Sequence, residues 1–87
     1  DYRPGMLVRS KAGHDKGCIY VIISVKNEYV YLADGALRPL SRMKKKNVRH
    51  LQPILKMRTD DLCDDEIRRV IREYEQQNEK QGRRTAC

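Results

Sequence analysis

Eighty-seven residues make a single domain whose core is too small to wall off a deep catalytic cleft, so size alone turns the reading from catalysis toward binding. The formal charge of +7 is unevenly placed: residues 1–53 carry eleven Lys and Arg against four acids, while residues 54–87 carry eight of each. The whole excess lies on the first part of the chain, as a surface for a polyanion requires.

Pro4-Gly5 opens a strand over residues 6–10. Next comes Lys11-Ala12-Gly13-His14-Asp15-Lys16-Gly17, a polar loop framed by two glycines that are expected to turn the backbone through positive φ. Residues 18–26 alternate, with Ile19, Val21, Ile23 and Val25 on one parity and Tyr20, Ile22 and Ser24 on the other. Their branched and aromatic side chains favour a strand. After Asn27-Glu28, a partner strand over 29–33 is expected to turn Val30 and Leu32 inward with the Ile/Val row. Tyr29 and Tyr31 then lie outward, sharing a parity with Tyr20.

Asp34-Gly35 is a hairpin signal, predicting a fourth strand over 36–40 with Pro39 marking an edge. The basic run 42–46 then leads to a last short strand over 48–51, closed by Pro53. Five short strands joined by tight turns bury their apolar parity by closing, so residues 1–53 read as a mainly β unit, a small five-stranded barrel. Residues 54–59 read as a linker. Acids cluster from Asp60 to Glu66 ahead of Ile67, Val70, Ile71 and Tyr74, a spacing that forms one stripe of an amphipathic C-terminal helix over 60–81. Asp60 or Asp61 is the expected start, since Cys63 is a poor cap for the Cys63/Glu66 pair. Gly82 is the expected stop, with a flexible tail over 82–87. That stripe has three candidate partners: the barrel, a second copy, or another protein.

The glycine-framed loop between two aliphatic strands resembles the KOW motif, which would span about residues 5–34. The run 42–46 followed by Asn47-Val48-Arg49-His50-Leu51-Gln52-Pro53 resembles one group more closely. These are the KOW-containing large-subunit ribosomal proteins of archaea and eukaryotes, fourteenth in the e series, and their short bacterial KOW-domain relatives. The resemblance covers residues 5–53; the C-terminal helix is not part of the KOW pattern. It implies an SH3-like barrel that binds RNA, most naturally ribosomal RNA, as part of the translation machinery in the cytoplasm.

Cations supply sequence-independent affinity for RNA by displacing counterions from phosphates. The expected phosphate contacts are Arg38, Arg42, Lys44, Lys45, Lys46 and Arg49, with Lys11, His14 and Lys16 on the loop and Gly13 and Gly17 as its structural glycines. Tyr29 and Tyr31 are candidates for base stacking, against the plainer reading that they shield the barrel or hold the C-terminal helix. No nucleophile–base pair, phosphate-cradling loop or cofactor motif is visible, so no enzyme is expected. Cys18, Cys63 and Cys87 lie far apart with no Cys-x-x-Cys spacing, predicting reduced thiols and no metal site. No apolar run approaches the ~20 residues that cross a bilayer, so no membrane partner is expected. The rival reading is a protein-interaction module, like the KOW domains of elongation factors, with ribosomal, transcription or translation proteins docking on the helical stripe.

Overall fold

The computed structural model describes residues 1–78. Its strands are β1 (Met6–Ser10), β2 (Ile19–Lys26), β3 (Tyr29–Ala33), β4 (Lys44–Asn47) and β5 (Leu51–Arg58), followed by helix α1 (Asp64–Asn78). All five strands form one antiparallel sheet in the order β4-β3-β2-β1-β5. β4 and β5 are therefore consecutive in the chain yet lie at opposite edges. A single 3-10 turn, Val48–His50, joins them. At ~2 Å rise per residue such a turn covers roughly 8 Å. A flat five-stranded sheet measures about 19 Å from edge to edge, so this one must curl strongly.

Burial tells the same story. Val8, Ile22, Val30 and Leu32 are fully buried with Tyr20 and Leu51 in a cluster that receives nothing from α1. That face is screened from water by the curl of the sheet together with Tyr2, Met6 and Val48, which pack against it. The opposite face packs Leu7, Ile19, Val21, Ala33 and Ile54 under Ile67, Val70, Ile71 and Tyr74 of α1. Both parities of the first half of β2, residues 19–22, are thus interior.

That arrangement settles what the helical stripe does. All four of its residues are at most 8 % exposed, and they meet the sheet of the same chain. The stripe is not a docking surface for a partner or a second copy.

Several boundaries differ from the sequence reading. Residues 36–40 form no strand. The loop after β3 folds around the Asp34 carboxylate, which accepts from Ala36 and Arg38 N–H at 2.8 Å, and a 3-10 turn, Leu40–Arg42, follows. The start of α1 pins this loop: Leu40 N–H donates to Asp64 Oδ1 at 2.9 Å, and Arg68 donates to the Gly35 carbonyl. Gly35 lies so close to Asp64 that a Cβ there would collide with its carbonyl oxygen.

Residues 48–50 turn rather than extend, and β5 runs through Pro53 to Arg58, so 54–59 is not a linker and Pro53 does not end the sheet. Proline is tolerated there because β5 is an edge strand with no outer neighbour needing its N–H. Helix α1 begins at Asp64, later than Asp60 or Asp61. The Cys63 carbonyl accepts from Ile67 N–H at 2.9 Å, while Thr59 Oγ1 engages the residues that lead into the helix. The predicted stop at Gly82 and the tail 82–87 lie outside the described residues. Cys18 is buried and disulfide-bonded, against the expectation of reduced thiols throughout, whereas Cys63 is free and exposed. No helix among the described residues is long and apolar enough to cross a membrane.

Candidate nucleic-acid interface

Gly13 and Gly17 adopt φ of +87° and +93°, the conformation their loop was expected to need. Backbone bonds close the loop: Gly17 N–H donates to the Ser10 carbonyl, and Cys18 N–H to that of Asp15, both at 2.9 Å. Its centre is Asp15, whose carboxylate has four partners. Oδ1 lies 3.0 Å from Ser10 Oγ and 2.7 Å from Lys46 Nζ; Oδ2 lies 2.9 Å from the Tyr20 hydroxyl and 3.3 Å from Lys44 Nζ. Lys46 also donates to the Ala12 carbonyl at 2.9 Å.

Burial by itself would raise the Asp15 pKa, but donation from Lys46, Tyr20 and Ser10, with the Lys46 charge, holds it well below the usual carboxylate range. Burial first, then donation to the Asp15 anion, pushes the Tyr20 phenol well above its ordinary value. Asp15 is thereby a fixed anion at neutral pH that fastens the loop to β4.

Pairing explains why Lys44 and Lys46 both reach it. In a strand, alternate side chains share a face, so the lysine run divides. Lys46 pairs opposite Val30 and Lys44 opposite Leu32, on the curled-in side; Lys45 pairs opposite Tyr31, on the outward side. Lys46 is only 10 % exposed, so its ammonium belongs to an interior ion pair. Lys45 is exposed, with Nζ 4.6 Å from the centre of the Tyr29 ring.

The cations expected to face phosphates thus form two groups. Lys11, His14, Lys16, Arg38, Arg42, Lys45 and Arg49 are exposed, and none forms an ion pair among the described residues. Lys44 and Lys46 hold Asp15. The loop and the β4 corner are neighbours: Lys11 N–H donates to the His50 carbonyl at 2.8 Å. A groove of about 480 Å³ runs along β4 and the following turn, lined by Tyr29, Lys44, Lys45, Lys46, Asn47, Arg49 and His50. Arg38 and His14 border a separate cleft of about 300 Å³ beside Asp15.

Tyr20 does not join Tyr29 and Tyr31 on an outer face. Ile22 pairs with Leu32, so Val30 and Leu32 share the Tyr20/Ile22 side rather than the Ile19/Val21 side. A bulge at Ile23 then shifts the register, and Val25 ends 39 % exposed. Sequence reasoning missed Asp15 and Tyr20 as organisers of the loop. The available signal was an acid inside a basic loop, with two lysines two apart to match its two oxygens.

Among the described residues no three His, Cys, Asp or Glu side chains converge as a metal site. No protein-family model matches this chain, and no curated protein matches it.

Proposed function

We propose that this protein is an RNA-binding module, a KOW-type SH3-like barrel that grips phosphates along the corner formed by its glycine-framed loop, β4 and the Val48–His50 turn. The observation that carries this reading is the Asp15–Lys46 bond, which joins the loop to the lysine strand and gathers Lys11, Lys45 and Arg49 with their charges uncompensated among the described residues. A solvated basic face kept only for solubility has no need of a buried ion pair to hold its parts in register. The strong curl of the sheet, whose two edge strands are joined by the Val48–His50 turn, suits the barrel that the KOW resemblance implies. The same resemblance points to ribosomal RNA and the translation machinery as the setting, in the cytoplasm, with binding rather than chemistry as the task.

Crosslinking in cells followed by sequencing of the recovered RNA tests this directly. Enrichment of a defined ribosomal RNA segment, lost with Lys45→Glu/Arg49→Glu, is the expected result. Recovery no higher than that of a charge-matched control protein overturns it.

A further inference from the structure

Helix α1 covers only part of the outward face of the sheet. Ile19, Val21 and Ala33 lie beneath it, but the same face continues along β3 to Tyr31 and Tyr29, which do not belong to the cluster under the helix. Cross-strand partners share a face, so Lys45 and Asn47 on β4 stand beside Tyr31 and Tyr29, and Lys26 and Ser24 stand on their other side. Two aromatic rings with a lysine on either flank therefore share one face of the sheet, accessible among the described residues. Tyr29 is 40 % exposed, Tyr31 is half-buried, and a hollow of about 170 Å³ opens between them, Lys26 and Lys45. The acid nearest in the chain, Glu28, belongs to the hairpin tip, where its carbonyl accepts from Val48 N–H.

We infer that this surface takes unpaired RNA, one base on Tyr29 and its neighbour on Tyr31, with Lys26 and Lys45 on the phosphates beside them; the inference rests on the RNA-binding reading and adds the state of the RNA. Spacing is the argument. Residues two apart on a strand are separated by about 7 Å. That is twice the ~3.4 Å per nucleotide of a B-form strand, and stacked bases in A-form RNA lie no farther apart, so a base on each ring must be unstacked from the next. A duplex cannot supply that, whereas a single strand supplies it cheaply, because every base has a π-face for an aromatic side chain. Lys45 already occupies one position over the Tyr29 ring, where a cation is attracted to the π-face. On binding it would hand that position to a base and turn to the adjoining phosphate.

The test titrates the protein with oligo(rA) and with the oligo(rA)·oligo(rU) duplex, reading anisotropy and tyrosine emission. The chain has five Tyr and no Trp, so stacking is visible directly as quenching. Single strands are expected to bind at least about tenfold tighter than duplex and to quench emission. Tyr29→Ala/Tyr31→Ala should weaken single-strand binding by about 5- to 150-fold per ring and abolish the quench. Tyr29→Phe/Tyr31→Phe, which keeps the rings, should retain the affinity, and matching unfolding curves identify variants that remain folded. Equal affinity for duplex and single strand, or an alanine variant binding like the parent, overturns the stacking surface. The wider reading survives that result if Lys45→Glu/Arg49→Glu still weakens binding. Polyglutamate competing as well as oligo(rA) overturns both.

Discussion

Replacing Asp15 by Asn keeps the size of the side chain and removes its charge. Lys46, 10 % exposed and 2.7 Å from the carboxylate, would then be an almost buried ammonium facing an amide. Removing one partner of a buried pair costs ~3–5 kcal/mol, whereas an exposed pair is worth ~0–1 kcal/mol. Lys44 is more open, at 27 %, and Lys46 keeps its bond to the Ala12 carbonyl, so we expect a loss of about 2–4 kcal/mol. A domain of this size is stable by only ~5–10 kcal/mol, so that is a large share.

Urea unfolding followed by far-UV circular dichroism measures the loss. Lys46→Met on the Asp15→Asn background should recover part of it, because an uncharged pair no longer strands a buried ammonium. The pH dependence has a definite sign. The folded carboxyl titrates below its unfolded value, so its contribution is complete above pH ~4 and is lost as the pH falls from there toward the depressed folded value. The difference in stability between parent and Asp15→Asn should therefore shrink as the solution is acidified below pH ~4. A loss under ~1 kcal/mol, or a difference that stays constant on acidification, would refute the ion-pair argument.

Division of the lysine run gives a second expectation. Lys45→Glu/Arg49→Glu should leave stability within ~0.5 kcal/mol of the parent while lowering the salt dependence of RNA binding by about one unit of slope per lost phosphate contact. Lys46→Glu sets a carboxylate against Asp15 and should destabilise the fold itself, so the same pair of unfolding and binding titrations separates the roles. Ile67→Ala removes a fully buried side chain from the joint of helix and sheet and should cost ~2–4 kcal/mol in urea unfolding. A neutral result there would mean that α1 is not docked on the sheet.

β1, β2 and β3 were legible in the chain because the relevant forces are local. Alternating aliphatics define the strands, and glycines permit the positive-φ turns at 13 and 17. The stripe Ile67, Val70, Ile71, Tyr74 likewise announced a helix by its spacing alone. The region from 34 to 58 was misread because its signals compete. Asp34-Gly35 is good hairpin chemistry, yet the loop is shaped by contacts with Asp64 and Arg68, some thirty residues away. Pro53 breaks a central strand but not an edge, and which strand is the edge is a property of the whole sheet.

The candidate site divides in the same way. Composition and placement of charge determined that residues 1–53 carry the excess of cations, since charge is a sum over the chain and needs no fold. Which cations face outward was decided only in three dimensions. Lys44, Lys45 and Lys46 are chemically identical neighbours, and they differ because a strand turns alternate side chains to opposite faces and Asp15, thirty residues earlier, waits on one of them. Tyr20 and Tyr29 differ for the same reason: cross-strand register, not side-chain chemistry, placed one ring inside the curled sheet and left the other in solvent.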